Sequence, residues 1–253
     1  MDGSQAELVP VKNGAKVLEY RGVRYADAPT GANRWKPPTP VSKRETLDEW
    51  PPICVQGDGN VDWYKMVAQG VGADPAVIFD TPPTSEDCLF LNIWQPLSGD
   101  LSDLPVMVWI HGGGNTTGMP SEYNPEVFVR SEEIIFVSIA YRLGIFGWLS
   151  HPELREQEGE DSSSNFGLLD QIMALKWIKE NIQFFGGDPN NITIFGESAG
   201  GQNVIALYSS PLSRGLFDKA ISQSGGTTFT STNDAEKINR NAPNYISNYK
   251  NRH

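Results

Sequence analysis

Apolar runs and one long amphipathic stretch organise the chain from residue 89 onward, whereas its first third shows little periodicity. The runs Leu89–Trp94, Val106–Ile110, Ile134–Tyr141 and Ile192–Phe195 have the length of strands, and Lys219–Ser222 is a further candidate. Val106–Ile110 and Ile134–Ile139 are apolar without alternation, as expected of central strands covered on both faces. Phe166–Phe185 differs: Leu168, Leu169, Ile172, Ala174, Leu175, Ile178 and Ile182 recur at helical spacing until Gly186-Gly187 ends the pattern. Strands separated by helices imply right-handed crossovers, so the pattern predicts an α/β class with a mostly parallel central sheet flanked by helices.

Upstream, residues 17–25 alternate like a short hairpin or edge strand. Residues 26–85 are rich in Pro, Gly and Asp, including Pro37-Pro38, Pro51-Pro52 and Pro82-Pro83, which predicts long irregular structure with a short helix near 61–69. Residues 231–253 carry six asparagines and almost no apolar periodicity, which predicts solvated surface or loop. No repeat or linker divides the chain. It reads as one domain with edge strands at 17–25, an irregular region at 26–85, sheet and helices at 89–226 and a polar tail at 231–253.

Composition narrows the partners. At 253 residues with 39% hydrophobic content, the chain can bury a sizeable core. A formal net charge of −11 argues against nucleic acid or an anionic membrane surface, since both need positive protein surface. No run is long enough for a membrane span. The first residues, with Asp2, Glu7, Lys12 and Lys16, contain no apolar signal segment, leaving a cytoplasmic protein or one whose leader has been removed. Cys54 and Cys88 lie in no C-x-x-C pattern and near no histidine cluster, so no metal or cofactor is expected; the pair is either a disulfide or two buried thiols.

The chemistry concentrates at Gly196-Glu197-Ser198-Ala199-Gly200. These residues follow the apolar run Ile192–Phe195 and precede Gly201–Tyr208, which can continue as a helix. A serine at the apex of a strand–turn–helix junction, flanked by glycines, has the form of a nucleophile elbow. The second constellation is His111-Gly112-Gly113-Gly114, directly after the run Val106–Ile110. Its glycines free backbone N–H groups to turn inward towards a developing oxyanion. A phosphate loop would want G-x-G-x-x-G or a Gly-Lys-Ser/Thr ending, and Gly112–Gly118 offers neither.

Six ordered motifs make a resemblance. They are Ser85-Glu86-Asp87-Cys88-Leu89-Phe90-Leu91-Asn92, the glycine loop, Tyr141-Arg142-Leu143-Gly144-Ile145-Phe146-Gly147, Gly167-Leu168-Leu169-Asp170-Gln171, the elbow, and Gln223-Ser224-Gly225. From about residue 17 to about 226 the chain resembles the N-terminal half of a type-B carboxylesterase, the family that includes cholinesterases and bacterial esterases. The resemblance implies an α/β-hydrolase fold whose later strands are missing here. It implies Ser198 as nucleophile, and Gly113, Gly114 and Ala199 as donors of an oxyanion hole. Glu197 would sit beside the nucleophile, with Ser224 behind it. Arg34 with Glu86, and Arg142 with Asp170, match two buried salt bridges, and Cys54 with Cys88 matches the family's first disulfide.

The departures matter as much. In the family the serine is followed by an acid and then a histidine, both well into the second half. Here the histidines are His111 in the glycine loop, where it is expected to anchor that loop, His151 in a charged stretch read as solvated, and His253 at the last position. His253 is too near Ser198 for the family spacing, and none of Asp218, Asp234 and Glu236 matches the acid position. Without its later strands the sheet is expected to end at an apolar edge beside Lys219–Ser222. Ile78 falls where cholinesterases place their choline-binding tryptophan, which argues against a quaternary ammonium substrate. Asn115 follows the glycine loop where related enzymes often carry an apolar side chain. The two Asn-x-Thr sequences, at Asn115 and Asn191, read as incidental. Two functions follow: hydrolysis of small uncharged carboxylic esters, with acid and histidine supplied by a C-terminal half, or a catalytically inactive fragment or interaction module of the same fold.

Overall fold

The computed structural model describes residues 17–42, 50–97, 102–154, 164–226 and 229–239. Its strands are β1 (Val17–Arg24), β2 (Ile53–Cys54), β3 (Thr84–Ser85), β4 (Phe90–Pro96), β5 (Leu104–Ile110), β6 (Ile135–Ile139), β7 (Gly187–Glu197) and β8 (Lys219–Gln223). The helices are α1 (Gly59–Gly70), α2 (Glu126–Glu132), α3 (Gly144–Trp148), α4 (Phe166–Asn181), α5 (Ala199–Ser209) and α6 (Thr232–Asn239).

Six strands form one sheet in the order β1-β4-β6-β5-β7-β8. β1 and β4 are antiparallel to their neighbours, while β6, β5, β7 and β8 run parallel. Side chains alternate across the sheet, and the two faces differ in kind. On one face Ile93, Val108, Val137 and Ile194 meet Ile172, Leu175 and Ile178 of α4 and Val204 and Leu207 of α5. On the other, Trp94, Trp109, Phe136 and Phe195 pack around Val129 of α2. Those rings meet edge-on or tilted, with centroids 4.9 Å apart for Trp109–Phe195 and 5.7 Å for Trp94–Phe136.

Helix α4 follows from its spacing: one stripe is sealed against the sheet, and a 3-10 turn at Ile182–Phe185 leads to Gly186 at φ +80°. That left-handed backbone suits glycine and stops the helix. β7 begins at Gly187, five positions before the apolar run. The register shifts there between Leu104 and Val106 of β5, letting Gly-Asp-Pro-Asn-Asn join as an irregular strand start. Gly187 is required for that approach, since a Cβ would fall 2.7 Å from Val106 Cγ2 and 2.8 Å from Ile182 Cγ1.

Residues 26–85, expected to be mostly irregular, contain α1 and the two-stranded parallel pair β2–β3. A disulfide joins Cys54 to Cys88, closing a segment of sequence separation 34 that contains α1. On the chain-entropy view such a loop contributes roughly 3–4 kcal/mol. The tail expectation is corrected at 232–239, where α6 forms; Ser231 bonds Asp234 at its start and Lys237 bonds Asp234 within it. Short-range polar bonds, which apolar periodicity does not register, stabilise that helix. Residues 240–253, with His253, lie outside the described residues.

The expected ion pairs form. Arg34 holds Glu86 through two bonds of 2.5 and 2.6 Å. Arg142 holds Asp170 through two side-chain bonds of 2.8 and 2.7 Å and donates its backbone N–H as well, at 3.0 Å. Asp170 is fully buried on α4, so this pair pins the loop after β6 to the helix that covers the sheet. Among the described residues, no helix is long and apolar enough to cross a membrane.

Candidate active site

Ser198 sits between β7 and α5 with φ 56° and ψ −121°, a backbone conformation rarely adopted by a residue with a side chain. Close packing forces it. A Cβ on Gly200 would fall 2.0 Å from Ile110 O, and one on Gly196 would fall 2.6 Å from the same atom. The helix can start this near the end of β5 only because both positions lack side chains. Ser198 N–H donates to Gln223 O at 2.9 Å and Gln202 N–H donates to Ser198 O at 3.0 Å, so β8 and α5 together hold the turn. Ser222 Oγ donates to Gly201 O at 3.0 Å, a second tie from β8 to the start of α5. Ser198 and Glu197 are exposed, and among the described residues Ser198 Oγ has no hydrogen-bond partner.

The glycine loop lies directly against this turn. A methyl group on Gly112 would come 2.9 Å from Glu197 O and 3.4 Å from Ser198 Cβ. Gly113 and Gly114 have φ of +96° and +64°, and a Cβ on Gly113 would fall 2.3 Å from Thr117 O. Gly113 O accepts Thr116 N–H at 3.1 Å and Thr117 N–H at 3.0 Å, which folds the loop back on itself. The loop that carries Gly113 and Gly114 thus meets the serine turn at Gly112, and Ala199, the residue after Ser198, opens α5.

His111 anchors the loop. Its ring is buried, stacks on Tyr141 at 4.4 Å between centroids, and places Nδ1 2.9 Å from Gly112 O. Tyr141 O–H donates to His111 O at 2.8 Å. Burial lowers the His111 pKa to about 4, keeping the imidazole neutral. His151, read as solvated, is corrected: it is buried, and its Nδ1 accepts Glu153 N–H at 3.3 Å. The charged residues around it in sequence do not report its own environment. Ile78 ends a short 3-10 turn, half-buried, beside Phe79, whose ring packs on Tyr64 at 5.9 Å.

Two interactions here escape the sequence reading. Arg24 grips Asp87 through bonds of 2.6 and 3.0 Å, pairing β1 with the segment before β4. Asn203 of α5 is buried and bonds Asn115 Oδ1 at 2.8 Å. An asparagine inside an apolar helical run was the visible hint.

A strained serine between strand and helix, facing a glycine loop on a mostly parallel sheet, defines an α/β-hydrolase fold. Residues 5–247 match the family model described as the carboxylesterase family, and the chain belongs to that family. Carboxylesterase 1C of Mus musculus is 42% identical over 215 residues, covering 83% of this chain and 36% of that protein. Cocaine esterase of Oryctolagus cuniculus is 40% identical over 217 residues, covering 83% and 38%. Among solved structures, a thermophilic PNB esterase superposes with a TM-score of 0.75 at 37% identity, covering 90% of this chain and 44% of that one. A Geobacillus stearothermophilus carboxylesterase gives 0.74 at 34% identity, covering 91% and 44%. The chain spans a little over a third of the length of these curated relatives.

Proposed function

We propose that residues 1–253 are the N-terminal portion of a single α/β-hydrolase domain, and that the protein containing them hydrolyses small uncharged carboxylic esters. Ser198 Oγ attacks the ester carbonyl carbon while a histidine takes its proton, and the carbonyl oxygen becomes an oxyanion held by the N–H groups of Gly113, Gly114 and Ala199. Collapse of the tetrahedral intermediate breaks the bond to the alcohol, which leaves with the proton, and forms an acyl-serine. Water then attacks that acyl group, releasing the carboxylic acid and restoring the serine.

The observation that carries this reading is the backbone of Ser198, at φ 56° and ψ −121°, packed against a glycine loop. Strain of this kind costs on the order of 1–3 kcal/mol and persists where the surroundings impose it. The histidine and acid come from sequence outside this chain. In support, the His111 ring is buried on Tyr141, and Ser198 Oγ has no base among the described residues. Residues 1–253 alone are therefore expected to be close to inactive.

A fluorophosphonate tests both parts, since it loses fluoride as its phosphorus bonds to an activated serine oxygen. Extending the chain with its downstream sequence should give rapid labelling at Ser198 and hydrolysis of a p-nitrophenyl ester, both abolished by Ser198→Ala. Residues 1–253 alone should label at least ~100-fold more slowly, as the missing base implies. Rapid labelling of the short chain by itself would overturn the missing-base reading. No labelling of the extended protein would overturn the esterase reading and leave an interaction module.

A further inference from the structure

Three pieces of backbone must be brought into register before an oxyanion could be held at Ser198. Gly113 and Gly114 belong to the loop after β5, Ala199 opens α5, and Tyr141, which hooks the start of the loop, follows β6. The loop is fixed at its two ends. At the first, Tyr141 O–H donates to His111 O at 2.8 Å. At the second, Gly144 N–H donates to Asn115 O at 2.7 Å, and Asn115 stands at φ +56°, a left-handed backbone that asparagine tolerates better than most residues. Neither bond reaches the helix that carries Ala199.

The side chains of Asn115 and Asn203 do. Asn203 Nδ2 donates to Asn115 Oδ1 at 2.8 Å, and Asn115 Nδ2 lies 3.5 Å from Asn203 Oδ1. Asn203 is 3% exposed, and Tyr141 O–H approaches the shared oxygen at 3.5 Å. Burial raises the Tyr141 phenol, so it remains a neutral donor. Among the described residues, this amide pair is the hydrogen-bonded link between the glycine loop and α5. Two apolar side chains could fill the same space at no desolvation cost. What they could not do is fix the distance and the angle between the two elements.

We infer that the Asn115–Asn203 amide pair sets the spacing between the N–H groups of Gly113 and Gly114 and that of Ala199, making Asn203 a positioning residue for oxyanion binding. The inference rests on the esterase reading above. It concerns the transition state: a donor displaced by about 1 Å can cost on the order of 100-fold in rate while leaving ground-state binding nearly intact.

The test is a double-mutant cycle in the ester-hydrolysing form of the protein, using Asn203→Leu, Asn115→Gly and the pair together. Glycine suits the backbone at 115, so its variant removes the amide without straining the loop and serves where Asn203→Leu folds poorly. Each single change should lower kcat by ~10–100-fold with KM within ~3-fold, and should weaken a trifluoromethyl ketone by the same factor as kcat. The ketone adds Ser198 Oγ to its carbonyl carbon and leaves an oxyanion in place, so it reads the hole directly. The double variant should be no worse than the poorer single one. Losses that multiply in the double variant, unchanged kcat, or a rise in KM alone would overturn the inference while leaving the esterase reading intact. A wild-type protein that hydrolyses no ester overturns the esterase reading instead, and is seen before any variant is made.

Discussion

Strands β7 and β8 are neighbours in one sheet and could hardly be more different in setting. β7 lies against β5, with Ile192 and Ile194 fully buried under α4 and α5. β8 pairs with β7 through five registered residues, yet all five are exposed, including Ile221 at 45%. β8 nonetheless holds the elbow, because Gln223 O accepts the N–H of Ser198. The centre supplies rigidity through packed side chains, and the edge supplies one backbone acceptor at the right place.

Variants can push on either side of that contrast. The largest loss is expected at the centre. Arg142→Ala strands the fully buried Asp170 carboxylate, which should cost about 3–5 kcal/mol in denaturant unfolding. A loss under ~1 kcal/mol would mean that the pair does not pin the core. Acidification should act on the anchor of the glycine loop. His111 has a folded pKa of about 4 against an ordinary value near 6.5, so between those limits the unfolded chain binds the extra proton. Stability from this group is whole above pH ~6.5 and falls by about 3 kcal/mol as pH drops through 4. Thermal unfolding across that range should show the slope, and His111→Phe should flatten it.

Reduction comes next. Opening Cys54–Cys88, or replacing both by alanine, should cost roughly 2–4 kcal/mol. An unchanged unfolding midpoint after verified reduction would contradict that. The smallest effect belongs to the edge. In residues 1–253 alone, Ile221→Lys should alter stability by no more than ~0.5 kcal/mol, while placing a charge on an open strand and so reducing self-association in sedimentation. A large destabilisation there would erase the contrast between β7 and β8.

The parts of the fold that were legible in sequence are those governed by apolar spacing. β4, β5 and β6 emerged from their runs, and α4 from its stripe and from Gly186. The elbow and glycine loop were legible because close backbone approach demands glycine, a requirement visible in the letters themselves. What escaped notice depends on partners far away in the chain. The start of β7 lies outside any apolar run and joins the sheet through a register shift against β5, and His151 sits among charges yet is buried. Asn115 reads in sequence only as a polar residue where related enzymes often carry an apolar one; the fold brings Asn203 to it, 88 positions later.

The disulfide-closed segment between β2 and β3 has a consequence for how this chain can change. Its two ends are clamped to each other by strand pairing and by Cys54–Cys88, and its interior meets the loop after β5 through polar bonds from Gln56 to Gly118 and from Asn60 to Glu122. Lengthening a loop whose ends are already fixed costs little, about 0.6 kcal/mol for each doubling. Trp63, Met66 and Val71 of this segment are exposed and support no core. Mutation can therefore explore the exposed positions of this segment at little cost in folding, whereas Gly196 and Gly200 of the serine turn leave no room for a side chain.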